Sequence, residues 1–296
     1  MIVLRGSGEL GRLEALRENA PLVLVPTMGA LHEGHLTLVR QAAVHGQVVV
    51  TIFVNPTQFG PGEDFAAYPR DLDEDLRLLA GTPTVAVFAP AVGDVYGRPG
   101  EVTVRAGRRA EGLCGALRPG HFDGVLTVVA KLFGMVRPSL ALFGRKDAQQ
   151  CLVLEQMVHD LRLPVRLLDV PTVREPDGLA MSSRNRYLDA GQRQRALCLA
   201  RALAAGRACL ADGQRATAAV EAAMRAELVA ADSVDYAAVR LLPELEMTAS
   251  IQDGRVLLAV AARVGPARLI DNLALRVERG AVMEAGLMGG GDAAGT

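Results

Sequence analysis

Apolar and polar positions follow two different regimes along the chain. Up to about residue 173, short apolar runs take turns with stretches of helical spacing. "LVLVPT" (22–27), "QVVVTIFVN" (47–55), "TVAVFAP" (84–90), "SLALFG" (139–144) and "PVRLLDVPTV" (164–173) read as strands. The second is apolar and β-branched, as expected of a strand buried on both faces. Between them lie helical stretches. "HLTLVRQAAVHG" ends at Gly46, and "DLDEDLRLLAG" has an acidic first turn that suits the helix dipole and a glycine stop. "GVLTVVAKLFGMVRP" (124–138) stops at proline, and "DAQQCLVLEQMVHDL" follows the strand at 139–144. Strands separated by helical crossovers predict an α/β fold, a parallel sheet with helices on both faces. In such sheets ligands bind beyond the carboxyl ends of the strands.

From about 188 to 228 the chain is rich in alanine and arginine, with helical spacing and no β-branched runs. "VDYAAVRLL" (234–242) and "GRVLLAVAARVG" (254–265) then predict strands of a small separate sheet. The pattern changes within "REPDGLAMSSR" (174–184), which marks the domain boundary. The expected division is a first domain over 1–175, a smaller C-terminal α+β domain over 176–280, and a disordered tail of small residues over 281–296.

Composition adds exclusions. The chain has 296 residues, 50% hydrophobic and 22% charged, with net charge −1. A balanced charge without a basic block argues against nucleic-acid or polybasic membrane binding. No apolar run approaches a membrane span, and the N-terminus lacks a signal-peptide pattern. The four cysteines have neither metal-ligand nor redox-motif spacing, so reduced thiols and a cytoplasmic protein are expected. Of 32 basic residues only Lys131 and Lys146 are lysine. Where arginine serves almost everywhere, a retained lysine suggests a need for a compact ammonium.

Candidate chemistry sits at the predicted strand ends. "PTMGALHEGH" joins a strand to a helix start, with His32 and His35 beside Gly29 and Gly34. Free N–H groups at a helix start favour phosphate, and the glycines allow close approach. "FVNPTQFGPGEDFAAYPRDL" places the amides Asn55 and Gln58 just past the second strand, suited to hydroxyl recognition or to a plain Asn-Pro turn. "RPGHFDG" carries Arg118 and His121. Arg118 suits a carboxylate, while Asp123 offers an alternative reading as a helix cap. "LFGRKDAQQ" puts Lys146 at a helix start, unfavourable there without an anion. "GLAMSSRN" offers Ser182, Ser183 and Arg184 in a loop suited to clamping phosphates. None of this matches the phosphate-loop lysine motif or the dinucleotide glycine fingerprint.

Taken together, "VPTMGALHEGH", "FVNPTQFGPGEDFAAYPR", "RPGHFDGVLTVVAKLF" and "VPTVREPDGLAMSSRNRYL" resemble the pantothenate synthetase (pantoate–β-alanine ligase) family. "HEGH" is similar to the histidine signature of the nucleotidylyltransferase superfamily, and "MSSR" to its phosphate-clamping loop. The resemblance implies a Rossmann-like ATP- and pantoate-binding first domain, a smaller second domain carrying the mobile clamp, and a homodimer. It implies that ATP, with Mg²⁺, and (R)-pantoate form pantoyl adenylate and pyrophosphate, and that β-alanine then yields pantothenate and AMP. No metal ligands are assigned.

By this resemblance Met28, Gly29, Ala30, Leu31, His32, Glu33, Gly34 and His35 line the ATP site, with His35 as the active-site acid and His32 holding phosphate. Gly144, Arg145, Lys146, Asp147, Val173, Met181, Ser182, Ser183 and Arg184 match further ATP contacts. His32, Lys146 and Ser182–Arg184 join His35 as the catalytic set. Gln58 and Gln150 match the pantoate-binding glutamines, with Asn55, Arg118 and His121 beside them among the pantoate and β-alanine positions. The family commonly has Gly-Glu-Lys-Asp and an aromatic residue where this chain has Arg145 and Ala148. That departure motivates one alternative, a catalytically impaired nucleotide-binding or regulatory relative. Another small-molecule nucleotidylyltransferase is the second, although Gln58 and Gln150 are poorly suited to a second phosphate.

Overall fold

A computed structural model describes residues 1–97 and 101–288. The first unit comprises Met1–Gly144 and Gln149–Val170. Its strands are β1 (Ile2–Leu4), β2 (Leu22–Thr27), β3 (Gln47–Ile52), β4 (Thr84–Phe88), β5 (Leu140–Gly144) and β6 (Arg166–Val170). They form one sheet in the order β1-β4-β3-β2-β5-β6, and all its strand pairs are parallel. The crossover helices are α1 (Arg12–Arg17), α2 (Glu33–Ala43), α3 (Leu72–Ala80), α4 (Val92–Tyr96), α5 (Leu113–Leu117), α6 (His121–Val136) and α7 (Ala148–Asp160). The sheet is parallel because each strand returns through such a crossover, and its central strands are apolar because both faces are covered. Leu22 to Val25 and Val48 to Val50 are almost wholly buried.

Chain direction across the sheet reverses beside β2. Strands β3 and β4 lie on one side of it, and β5 and β6 on the other. Residues 28–35 leave the carboxyl end of β2, and β5 ends at Gly144 next to it. This switch point is where an open α/β sheet leaves a crevice for ligands.

The second unit takes Arg145–Ala148 and the chain from Pro171 onward. It contains α8 (Ala190–Ala196), α9 (Cys198–Ala211), α10 (Thr217–Glu227), β7 (Ser233–Leu241), β8 (Gly254–Val264), β9 (Ala267–Glu278) and β10 (Ala281–Glu284). The strands form an antiparallel sheet in the order β10-β9-β8-β7. Its apolar residues join those of the helices in one core that includes Leu199, Leu203, Met224, Leu258 and Val260.

The structure moves the sequence-based boundary from 175/176 to 170/171. Beyond Val170 the chain folds back on its own loop, where Arg174 bridges Ala180 and the Met181 N–H donates to the Val173 carbonyl. The start of the predicted tail also changes. Residues Ala281–Glu284 pair with β9, and Leu287 and Met288 are buried. The remainder of that predicted tail, 289–296, lies outside the described residues.

Candidate active site

The turn after β2 is held from below by a buried carboxylate. Gly29 has φ +79°, which favours glycine, and Ala30 follows at φ +51°. The Ala30 and Leu31 N–H groups donate to Asp75 Oδ2 and Oδ1 at 3.0 and 2.8 Å. Asp75 comes from α3 and is 2% exposed. A Cβ on Gly29 would stand 2.7 Å from Asp75 Oδ2. The glycine therefore lets the carboxylate approach, and the carboxylate keeps the strained backbone in place.

The same turn delivers the two histidines. His32 caps α2, its Nδ1 accepting the Gly34 N–H at 3.1 Å, while His35 Nδ1 accepts the His32 N–H at 3.3 Å. An accepting Nδ1 carries no proton, so the ring hydrogen of each neutral imidazole sits on Nε2. The ring centroids are 4.1 Å apart. Capping thus gives both rings the tautomer that donates through Nε2. Glu33, at the first position of α2, pairs instead with Arg40, which keeps its carboxyl below the usual range through that hydrogen bond, against a smaller opposing effect of burial.

The amides past β3 form a second cluster. Asn55 is 1% exposed. Its Nδ2 donates to Gln58 Oε1 at 3.1 Å and the Gly124 carbonyl at 3.2 Å, and its Oδ1 accepts from Tyr96 OH at 2.7 Å and Thr57 Oγ1 at 3.0 Å. Asn55 therefore serves as a bracket for Gln58. With Gln58 Oε1 held by Asn55, its Nε2 donates to Met28 Sδ at 3.1 Å. The bracket needs close packing. A Cβ on Gly124 of α6 would meet the Thr57 carbonyl oxygen at 2.3 Å.

Arg118 does meet a carboxylate, but one from its own chain. Its Nε and a terminal nitrogen donate to the two oxygens of Glu63, each at 2.6 Å. The same guanidinium donates to His121 Nε2 at 3.0 Å, since arginine has no acceptor, so His121 Nδ1 donates to the Gln58 carbonyl at 2.7 Å. Arg118 and His121 thus hold the backbone of Gln58. The Asp123 cap predicted as the alternative does not form. Helix α6 starts at His121 behind Gly120, which has φ +80° and gives no side-chain cap, and Asp123 accepts the Ala106 N–H at 2.8 Å. Lys131, without a role in the sequence reading, stands 5.4 Å from the Tyr96 ring centroid.

Glu63 links this network to pH. Burial pushes its carboxyl up, but hydrogen bonds and charge from Arg118 outweigh that, and the pKa falls below the usual 4.5. A depressed native pKa gives stability that is complete above the unfolded value and lost as pH falls through the native one. Wild type is expected to lose unfolding free energy below about pH 4.5 more steeply than Glu63→Gln. Urea titrations between about pH 3 and 6 check this, and equal slopes would remove Glu63 as a contributor.

Of the two adjacent glutamines in "AQQ", Gln149 is 6% exposed and bonds the Cys114 N–H and the Arg109 and Gly112 carbonyls. It fixes the segment before α5. Gln150 is half-buried in the first turn of α7.

In the second unit, Arg145, Lys146 and Asp147 form one helical turn. The carbonyls of Arg145 and Lys146 each accept from Asn272 Nδ2 at 2.8 Å. Ser182 Oγ accepts the Arg184 N–H at 3.3 Å and caps the short helix Ser183–Tyr187, with Ser183 buried. The loop bearing Val173 and Met181 is braced. Arg174 pairs with Asp271 at 2.7 Å, Arg193 with Glu175 and Asp177, and Asn185 with Glu175. Burial opposes the Arg174 charge, but Asp271 holds its pKa above the usual arginine value.

The chain matches the family model described as pantoate-beta-alanine ligase over residues 6–274. It is 53% identical over 257 residues to the pantothenate synthetase of Moorella thermoacetica, covering 86% of this chain and 90% of that one. A crystal structure of pantothenate synthetase from Thermus thermophilus superposes with a TM-score of 0.86 at 44% identity, covering 92% of this chain and 99% of the other. The pantoate-beta-alanine ligase of Francisella tularensis, complexed with beta-gamma ATP and beta-alanine, gives a TM-score of 0.76 at 30% identity, covering 92% and 97%. The chain belongs to the pantoate–β-alanine ligase family.

Sequence reasoning missed Asp75 and Glu63 in the first unit and Asn272 in the second. Asp75 had one visible signal. It falls between Leu72, Leu76 and Leu79, on the apolar stripe of α3, where an isolated charge must find a buried partner. Glu63 and Asn272 carry no such mark, because their partners lie 55 and 127 positions away.

Proposed function

We propose that this chain joins (R)-pantoate to β-alanine at the expense of ATP through an enzyme-bound pantoyl adenylate. The family match from 6 to 274 carries the reading, and the histidine pair, whose accepting Nδ1 atoms leave the ring hydrogens on Nε2, supports the adenylating step. A pantoate carboxylate oxygen attacks the α-phosphorus of ATP. The α–β bridging bond breaks and pyrophosphate leaves. The free amine of β-alanine then attacks the acyl carbon, loses a proton, and AMP departs with the carboxylate oxygen. Adenylation is needed because a carboxylate is a poor acyl donor.

In this reading Met28 to His35, Gly144 to Asp147, Val173 and Met181 to Arg184 bind ATP. His35 and His32 donate from Nε2 to phosphate oxygens as charge shifts, aided by the start of α2. Lys146 adds a compact positive charge, and Ser182, Ser183 and Arg184 add donors of the second unit. Gln58 and Gln150 hold pantoate, with Asn55, Arg118 and His121 acting through Gln58. Among the described residues no cluster of three or more His, Cys, Asp or Glu could hold a metal. In this reading Mg²⁺ enters with the ATP phosphates, as part of the substrate. Among the same residues no helix is long and apolar enough to cross a membrane. A cytoplasmic homodimer is the assembly that goes with this reading, on the family resemblance.

The reading separates the two substrates at Gln58 and Gln150. Gln58→Ala and Gln150→Ala are each expected to raise the pantoate KM at least about 10-fold, the loss of about 1.4 kcal/mol that one hydrogen bond to a charged group supplies, with the ATP KM nearly unchanged. Initial rates at varied ATP and pantoate give both constants. Equal losses for both substrates would reject the assignment.

A further inference from the structure

We propose that Asn272 is a positioning residue for Lys146, fixing the backbone from which the phosphate-facing ammonium extends. The proposal rests on the reading of Lys146 as an ATP ligand. Asn272 lies in the middle of β9, paired with Ala259 of β8, and is 7% exposed. An apolar residue would suit a buried strand position at least as well, so the amide needs a reason. Its Nδ2 gives both hydrogens to neighbouring carbonyls, those of Arg145 and Lys146, each at 2.8 Å. These two carbonyls belong to the peptide groups on either side of the Lys146 α-carbon. Holding both peptide planes fixes φ and ψ of Lys146, and with them the direction of its Cα–Cβ bond.

A lysine side chain has four flexible carbons and a point charge, so it aims poorly unless its root is fixed. The Arg145–Asp147 turn is a single helical turn with no ladder of its own, and β9 supplies an external frame. Asn272 is in turn anchored. Its N–H donates to Asp271 Oδ1 at 2.8 Å, and Asp271, 3% exposed, pairs with Arg174 through both oxygens at 2.7 and 3.1 Å. A rigid strand holding a ligand-bearing turn by paired hydrogen bonds is how a site keeps its geometry within fractions of an ångström.

The test uses the full chain as wild type, Asn272→Ala, Lys146→Ala and the double variant, with pantoate-dependent ATP–pyrophosphate exchange and thermal unfolding measured for each. Asn272→Ala is expected to slow exchange about 10- to 100-fold, the scale of a misplaced catalytic group, with the pantoate KM unchanged. In the Lys146→Ala background the same substitution should change exchange less than about 2-fold, because the group it aims is gone. Asn272→Ser, which keeps one donor, should recover part of the rate and serves as the comparison if the alanine variant does not fold. An equal loss in both backgrounds, or no loss in wild type, would overturn the proposal. If Lys146→Ala alone exchanges at the wild-type rate, the phosphate reading of Lys146 fails first, and the proposal falls with it.

Discussion

Replacing His35 with alanine is expected to slow pantoate-dependent pyrophosphate exchange by about 10²–10³-fold, the cost of one preorganised donor to a charge-developing oxygen, while ATP affinity changes far less. The asymmetry follows from when the hydrogen bond matters. In the proposed reading Nε2–H donates to a phosphate whose charge redistributes as the α–β bond breaks, so its contribution is greatest in the transition state. His35 has a second task, accepting the His32 N–H through Nδ1 at 3.3 Å. Alanine removes both functions. His35→Asn separates them, since its side-chain oxygen can replace the Nδ1 acceptor but nothing replaces the Nε2 donor. The asparagine variant should therefore regain up to about 1 kcal/mol of unfolding free energy over alanine and remain slow. Single-turnover adenylate formation and urea unfolding measure the two quantities. Normal adenylate formation by either variant would remove His35 from the chemistry.

The second large effect lies behind the histidines. Asp75→Asn is expected to cost about 2–4 kcal/mol of stability and to slow exchange. The amide nitrogen would face a backbone N–H that now has no acceptor, which alone costs about 1–3 kcal/mol, and the remaining bond loses its charge assistance. Neither Ala30 nor Leu31 can retreat easily, because Leu31 is 1% exposed and Ala30 holds φ +51°. Asp73→Asn is the control. It sits in the same acidic turn but is exposed, so it should lose no more than about 1 kcal/mol from the helix dipole. Equal unfolding free energies for the two variants would show that Asp75 does no more than its neighbours.

That contrast also shows what the sequence could and could not reveal. The four acids of "DLDEDLR" all suit the start of a helix dipole. Asp75 differs from them in lying on the apolar stripe of α3, and only the fold supplies its partners, Ala30 and Leu31, 45 and 44 positions away. The parallel sheet was legible because each central strand is a continuous apolar run, and the histidine turn because its residue types are unusual and local. Arg118 finds its partner only in the fold. A carboxylate partner was expected from its chemistry, yet the partner is Glu63 of the same chain, so the arginine supports Gln58 through its carbonyl. Strand β9 escaped notice because Asp271 and Asn272 interrupt its apolar pattern, and their burial makes sense only beside Arg174 and the Arg145–Lys146 carbonyls. β10 was hidden by small residues whose only strand signal is the edge of β9 that they complete.

The departures at Arg145 and Ala148 make the adenylating step the one to measure directly. Exchange of labelled pyrophosphate into ATP should proceed with pantoate present and β-alanine absent, because the first step ends when pyrophosphate leaves. Neither omission of pantoate nor its replacement by β-alanine should support exchange. Exchange that required β-alanine, or none under any combination of substrates, would contradict a pantoyl-adenylate mechanism for this chain.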